Sequence, residues 1–575
     1  MTNKSTSPAS NNAAQVSGGE AVVEVLKAHG VEVIFGLCGD TSLPFYDALA
    51  RLPHGMRHVL TRDERSAAYM ADGYARVSGK VGVCEGPSGG GATYILPGLV
   101  EANESSVPVL GITSDISVSS RGKFTLTELD QGALMKPLTK WNAVLNRAED
   151  IPRTFRAAFN AMTTGRPGAA HIALPFDVQN GAVDRADLWA DPSLGVYPSR
   201  RTGPDPMYVE MAVKLLRAAK KPVFICGGGV VISGGEAELI EVAEQLSAPV
   251  ATTISGQGTI SDDHPLAVGV VGSNGGVPET RAVVQGADLV VFVGCRAGSV
   301  TTERWRYPTP GQVKVIHIDV DPQVVGAIYR VDVPLVGDAK LTLAALSQGL
   351  SDGPAGAKRA LDNAAVEKAK REKFARFDAL ANENATPIKP ERVVAALART
   401  LDPDAIVVAD PGTPCPYFSA YFPIRGTGRR FFSNRAHGAL GYSMSAAVGA
   451  HFGRPGVKCV SVMGDGSFGF TSGELETIVR HRLPITFIVI SNAVYGWIKA
   501  GQKSGYDSRY FSVDFTRTDH AAVASAYGVK SWQVRDPNAL DDVLKQALAY
   551  AGPTLVDIHC QPLHEAHAPV SEWVA

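Results

Sequence analysis

The sequence predicts an α/β protein of three doubly wound parallel-sheet domains, over 19–185, 207–350 and 387–563. Three observations carry that expectation. Apolar runs of strand length alternate with helix-like segments through each block, as in strands joined by crossover helices. Two stretches lack the alternation and divide the blocks. Arg185–Pro206 is rich in Pro and Asp and reads as a linker, while 351–386 is crowded with Ala, Lys, Arg and Glu and reads as a solvated connecting helix. Finally, 575 residues suit two to four domains, and each block is long enough for its own core.

In the first block, Gly19–Gly30 is expected to be helical, Val31–Leu37 a strand and Ser42–Arg51 a helix. Gly82–Glu85 and Val107–Ile112 are strands, and 169–175 is a strand stopped by Pro175. The second block opens on a helix and the strand Pro222–Cys226, then runs through the strands 289–294 and 313–319. In the third, 457–463 is a mostly apolar, buried strand, 472–480 has helical composition, and Pro484 closes that helix before a strand at 485–490. A strand–helix–strand unit of this length is a right-handed crossover between parallel strands. The sequence does not mark the three blocks as repeats of one another.

Composition excludes several classes. Hydrophobic content of 45%, charged content of 19% and a net charge of −2 offer no basic excess for nucleic acid. No apolar run is long enough to span a membrane. Residues 1–18 lack an apolar h-region and read as a flexible tail, not a signal peptide. The seven cysteines are scattered, several within apolar runs, so buried free thiols in a reducing compartment, the cytoplasm, are expected.

Between the strands of the third block lies Gly464-Asp465-Gly466-Ser467, and Asn492 follows Asp465 by 27 positions. The crossover brings Asp465 and Asn492 to the carboxyl edge of the sheet, where open α/β folds bind ligands. Flanking glycines let a backbone approach closely, and a helix start offers amides to an anion. A carboxylate and an amide oxygen are hard ligands suited to Mg²⁺. An ordinary strand-to-helix turn with a capping Asp accounts for the same residues.

Three further segments join this run: Phe35–Asp47, Arg62–Arg76 and Pro87–Thr93. In this order the chain resembles the thiamine-diphosphate enzymes of the acetohydroxyacid (acetolactate) synthase and pyruvate oxidase group, over about 19–563. The resemblance implies thiamine diphosphate and Mg²⁺ as cofactors. It implies Asp465 and Asn492 as side-chain metal ligands with the carbonyl of Val494, and Gly466 and Ser467 as holders of the diphosphate beside Gly464. Asp410–Thr413, with Gly412 and Thr413, resembles the other diphosphate-side loop. Gly438 would accept from the aminopyrimidine, and Leu440 would bend the cofactor. Read alone, Glu64 in its Arg-Asp-Glu-Arg run is a surface charge. Within the resemblance it is the catalytic glutamate that hydrogen-bonds the aminopyrimidine, a task that needs a dry surrounding. In the family the residues matching Glu64 and Asp465 come from different subunits, which implies a homodimer or homotetramer.

The substrate side departs from the family's patterns. Asp40 stands where synthases carry glycine. It reads either as a proton relay in catalysis or as a cap for the helix near Ser42. Thr127-Glu128 replaces Gln-Glu, and Leu126 replaces the preceding Phe. The paired histidines of the decarboxylases are absent from 114–123. The segment 493–499 is nearer the oxidase version, yet Gly501 matches neither subgroup. Trp497 and Ile498 are expected to line the pocket, and His437 either reaches substrate or packs. In the middle block, 226–229, 272–276 and 294–296 resemble loops that clasp FAD, although relatives also hold ADP, CoA or nothing there; a Gly-rich turn alone is weak ground.

The expected activity is acetolactate-synthase-like: decarboxylation of a 2-oxo acid, then transfer of the acyl unit to a carbonyl acceptor. The alternatives are a 2-hydroxyacyl-CoA or aldehyde lyase or a 2-oxo acid decarboxylase on the same scaffold, then a pyruvate oxidase.

Overall fold

The structure, a computed structural model, describes residues 14–352 and 358–573. Most of the expected tail at 1–18, and 353–357 of the connecting segment, lie outside them. The chain forms two compact units, Met1–Ser199 and Arg200–Ala575.

The first unit holds six parallel strands in the order Arg57–Leu60, Val33–Gly36, Gly82–Gly86, Val109–Asp115, Ala170–Pro175, Trp141–Val144. Counted along the chain this is 2-1-3-4-6-5. Such strands are covered on both faces, which is why they read as continuous apolar runs and not as alternations. Helix Glu64–Ser78 starts where Asp63 accepts the amide of Arg65 at 2.7 Å and ends at Gly79, whose φ of +71° is left-handed. Its small-residue face permits close packing: a Cβ on Gly98 would lie 2.3 Å from the Ala68 Cβ. Buried Arg76 lies between Asp72, at 2.7 Å, and Glu101, at 3.2 Å, and fixes the helix's far end. The linker reading of Arg185–Pro206 needs correction. Tyr197 donates its hydroxyl to the Ala75 carbonyl at 2.8 Å, and the amide of Val81 bonds the Gly195 carbonyl, so this stretch is docked on the first unit. Pro206 itself begins helix Pro206–Ala218.

The second unit contains two six-stranded parallel sheets. One runs Ala267–Val270, Val250–Thr252, Pro222–Cys226, Leu289–Val293, Lys314–Asp319, Val333–Val336, which is 3-2-1-4-5-6, the dinucleotide-fold order. The other runs Phe431–Ser433, Ile406–Ala409, Cys459–Gly464, Thr486–Ser491, Thr554–His559, Lys530–Val534. Its order is again 2-1-3-4-6-5, so the outer blocks share a topology that their sequences do not announce. Among the described residues all seven cysteines are free, six of them buried, and no helix is long and apolar enough to cross a membrane.

The connecting helix, Ala364–Ala381, is not simply solvated. Val366, Ala369, Lys373, Phe377 and Ala381 form a buried stripe at helical spacing. Lys373 is 5% exposed, and burial pulls its ammonium down from 10.5 to about 8. Between those values the unfolded chain binds more protons than the folded one, so stability at this site rises with pH; below about 8 the whole cost weighs on the fold. The unfolding free energy of wild type, measured against that of Lys373→Met, should therefore gain up to about 3 kcal/mol between pH 8 and 10.5. Denaturant titrations across that range would reveal a flat difference if the lysine were solvated.

Candidate active site

In the third sheet the chain order reverses between Ile406–Ala409 and Cys459–Gly464, the switch point at which open sheets bind ligands. Asp410 and Asp465 immediately follow those two strands. Asp465 is buried, and desolvation raises its proton affinity despite three backbone amides. Its Oδ1 accepts from Gly466 at 2.9 Å, while Oδ2 accepts from Asn492 at 2.7 Å and Ala493 at 2.6 Å. One carboxylate thus ties the end of one strand to the loop after the next. Ala493 turns that loop with φ of +57°, which sets Asn492 and Val494 on either side of it.

A cation with phosphate fits this arrangement. The Asn492 side chain hydrogen-bonds no described residue, so its amide oxygen is available beside the Asp465 carboxylate. The carbonyl of Val494 accepts no backbone hydrogen bond among the described residues. A Cβ on Gly464 would meet nothing within 4 Å, and the same holds for Gly412 and Gly438, at φ of +90° and +72°. Gly466 differs from the expected open approach. Its Cβ would lie 2.8 Å from the Tyr495 ring, and its amide is taken by Asp465, so ring packing requires this glycine. Ser467 is buried, and its side chain hydrogen-bonds Asp410. Thr413 is buried in the loop after Asp410.

Gly438, Ala439 and Leu440 are positioned from two sides. Buried Asn434 donates its amide to the Ala439 carbonyl at 2.6 Å. The Asp410 carboxylate accepts the amides of Gly441, Tyr442 and Ser443 at 3.3, 2.9 and 2.9 Å, and so holds the start of helix Tyr442–Gly453 directly after half-buried Leu440. Burial raises Asp410 to about 7 against those amides. His437 is exposed. Trp497 stacks edge-on against Trp573 at 5.1 Å, and Ile498 is 55% exposed.

In the first unit the surface reading of Glu64 fails. Glu64 is 7% exposed, and desolvation raises its proton affinity, with the charge of Asp63 adding to the rise. It lies against the strand end and the next loop: a Cβ on Gly86 would be 3.1 Å from its Cγ, and one on Gly91 would be 3.2 Å from its Oε1. Asp40 is exposed and, among the described residues, accepts only the amide of Thr41, at 2.8 Å. It caps no helix, because helix Leu43–Arg51 begins at Ser42 without a side-chain cap. Thr127 has φ of +68° and is tied to Ser88 at 2.7 Å, with its Cβ over Gly89.

Sequence reasoning placed Asp410 only within a diphosphate-side loop and missed its hold on 441–443, and it missed Asn434 and the cluster around Glu85 altogether. Beyond that, Asp410 and Asn434 were visible only as polar residues ending apolar strands, a signal that becomes specific once the switch point is known. Glu85, buried, accepts from the Tyr46 hydroxyl and lies 3.5 Å from His58 Nε2, a cluster drawn from three separated segments.

In the Gly-rich loops of the middle block, Gly227, Gly229, Gly272 and Gly276 are occupied by packing. A Cβ on Gly227 would lie 2.2 Å from the Gly294 carbonyl, and one on Gly229 would lie 2.6 Å from the Gly294 Cα. Gly272 meets Val300 and Gly276 meets Gly272 just as closely. Loop-on-loop contact accounts for them without a dinucleotide.

Comparison with known proteins agrees with this layout. Residues 16–134 match the N-terminal TPP binding domain of thiamine pyrophosphate enzymes, 209–346 their central domain and 410–558 their C-terminal TPP binding domain. The chain is 36% identical over 561 residues to a probable acetolactate synthase large subunit of Methanocaldococcus jannaschii, covering 95% of this chain and 92% of that one. It is 35% identical over 563 residues to a probable acetolactate synthase large subunit of Methanococcus aeolicus, with the same coverage. To the acetolactate synthase isozyme 3 large subunit of Escherichia coli it is 32% identical over 541 residues, 93% of this chain and 92% of that one.

Proposed function

The chain belongs to the thiamine pyrophosphate enzymes of the acetolactate synthase large-subunit kind, and from that membership we propose that it is a thiamine-diphosphate-dependent carboligase that decarboxylates a 2-oxo acid and joins its acyl unit to a second carbonyl compound. The observation that carries the reading is Glu64, a carboxyl buried at a sheet edge and held toward its protonated form by desolvation. When bound, thiamine diphosphate supplies the nucleophilic carbon and the electron sink. Glu64 holds the proton that the aminopyrimidine needs. Gly438 and Leu440, fixed by Asn434 and Asp410, orient the ring. Asp465, Asn492 and the Val494 carbonyl hold Mg²⁺, and the open face at Gly464 and Gly412, with Ser467 and Thr413 beside it, admits the diphosphate. Asp40, exposed in its loop, is the candidate proton relay to substrate. Thr127, His437, Trp497 and Ile498 are the candidate substrate contacts.

In the reaction the bond between carboxylate and carbonyl carbon breaks and CO₂ leaves. A bond forms from that carbon to the acceptor's carbonyl carbon, whose oxygen takes a proton. No electron is gained or lost, so the chemistry itself calls for no flavin; FAD in the middle block would be structural. A homodimer or homotetramer follows from the resemblance, in which the residues matching Glu64 and Asp465 come from different subunits.

Incubation with pyruvate, thiamine diphosphate and Mg²⁺ should release CO₂ and yield acetolactate. Free acetaldehyde as the sole product would overturn the carboligase reading in favour of a decarboxylase. Flavin absorbance that bleaches with pyruvate would point to an oxidase.

A further inference from the structure

Four hydroxyls join three loops and a strand end at the carboxyl edge of the first unit's sheet. Thr41 follows strand Val33–Gly36, Ser88 follows Gly82–Gly86, Ser114 ends Val109–Asp115, and Thr127 lies in the loop beyond. Thr41 Oγ1 is 2.7 Å from Ser114 Oγ and 3.1 Å from Ser88 Oγ, and Ser88 Oγ is 2.7 Å from Thr127 Oγ1. Each hydroxyl has one hydrogen to give. Thr127 gives its own to the Leu126 carbonyl at 2.5 Å, so it accepts from Ser88. Thr41 gives its own to Ser88, so it accepts from Ser114. The row therefore points one way, from Ser114 through Thr41 and Ser88 to Thr127, and each bond polarises the next. It begins at a buried serine and ends at a half-buried threonine that a ligand can reach.

That terminus is held at a cost. Thr127 has φ of +68°, a left-handed conformation that β-branched residues rarely adopt. Gly89, at φ of +66°, makes room for it, because a Cβ there would lie 2.9 Å from the Thr127 Cβ. Strain of this kind persists only where the surroundings impose it, and it gathers at ligand sites. The same loop reaches Glu64, since a Cβ on Gly91 would be 3.2 Å from its Oε1. The loop after Gly86 thus touches both the hydroxyl row and the buried carboxyl.

We infer that Thr127 donates its hydrogen to the carboxylate of the 2-oxo acid, and that Ser88, Thr41 and Ser114 are positioning residues that aim and strengthen that donor. The inference rests on the carboligase reading above. The hydrogen lies on a carbonyl of its own loop, an acceptor that a carboxylate can replace while the rest of the row stays bonded. Among the described residues no titratable side chain is hydrogen-bonded to the four hydroxyls, so the row orients a hydrogen and supplies no net proton. Neutrality suits the task. The carboxylate must leave as CO₂, and a cation on it would stabilise the charge that has to disappear. A hydroxyl fixes its direction at a smaller ground-state cost.

Calorimetric titration of the full chain, with thiamine diphosphate and Mg²⁺ present, reads the contact without turnover when the ligands are oxamate, an unreactive isostere of pyruvate, and neutral oxamide. Wild type should bind oxamate more tightly than oxamide. Thr127→Val should weaken oxamate by about tenfold or more, the loss of one hydrogen bond to a charged group, and leave oxamide unchanged. Thr127→Ser keeps the hydroxyl and should restore most of the affinity. Ser88→Ala removes only the donor to Thr127 and should weaken oxamate by about threefold. In steady-state assays with pyruvate the same variants should raise KM by like factors with kcat unchanged. No oxamate binding to wild type would overturn the inference, as would unchanged affinity in Thr127→Val or equal weakening of oxamate and oxamide. A lower melting temperature in Ser88→Ala with unchanged oxamate affinity would reduce the row to a staple between loops and overturn the positioning role. If Thr127→Val fails to fold, Ser88→Ala decides by itself. Pyruvate turnover by wild type together with unmoved oxamate binding in Thr127→Val sinks this inference alone. Oxamate binding that depends on Thr127 in a chain without turnover sinks the carboligase reading alone.

Discussion

Glu64→Gln is expected to lower turnover by about 10²–10⁴-fold, the range that a positioned acid–base group contributes, while leaving thiamine diphosphate affinity within a few-fold of wild type. Gln has the same shape and can still hydrogen-bond, so it fills the niche between Gly86 and Gly91. It cannot hold or release a proton. Stability should move the other way. Burial raises the folded-state proton affinity of Glu64 above the ordinary 4.5. From 4.5 upward to the raised value the folded chain therefore binds more protons than the unfolded one, and stability at this site falls as pH rises. The variant lacks that fall, so the cofactor-free Gln protein should match or exceed wild type at pH 8, with the margin opening between pH 4.5 and the folded-state value. Steady-state assays, cofactor titration by intrinsic fluorescence and melting at two pH values check the three parts. A fully active variant would sink the catalytic assignment.

Asp465→Ala is expected to fail doubly. Removing the carboxylate leaves the amides of Gly466, Asn492 and Ala493 without their acceptor, at about 1–3 kcal/mol for each that stays buried. It also deletes the one charged member of the candidate Mg²⁺ set. Asp465→Asn separates the two roles. It keeps an oxygen for the loop, so melting of the cofactor-free protein should fall less than in the Ala variant. It loses the charge, so Mg²⁺-dependent cofactor binding should drop by about a hundredfold, which is the loss of one charge-assisted contact to a hard cation. Equal Mg²⁺ dependence in wild type and Asp465→Asn would remove Asp465 from the metal site and leave it as a loop tether.

By itself the sequence determined the three α/β blocks and the family. Both are written in local patterns: apolar strand runs, glycine-flanked turns, and the Gly464-Asp465-Gly466-Ser467 run with Asn492 at a crossover's spacing. It also singled out Glu64, although only through resemblance, because the surrounding Arg-Asp-Glu-Arg run describes a surface. Burial is a tertiary quantity, and helix packing against the Gly86 strand end is what enclosed that carboxyl. Only the tertiary structure decided that the outer sheets share the order 2-1-3-4-6-5 while the middle has 3-2-1-4-5-6, since strand neighbours are chosen by long-range pairing that leaves no local trace. The same cause hid the role of Asp410, whose partners lie 31 to 33 positions on, at 441–443, and Lys373, whose helix looks polar until its buried stripe is seen packed. The ligand reading of the motif Gly464–Ser467 stands as a proposal, with one revision. Gly464 faces open space, but Gly466 is a glycine because Tyr495 packs on it, and that contact spans a loop which no reading of neighbouring residues could close.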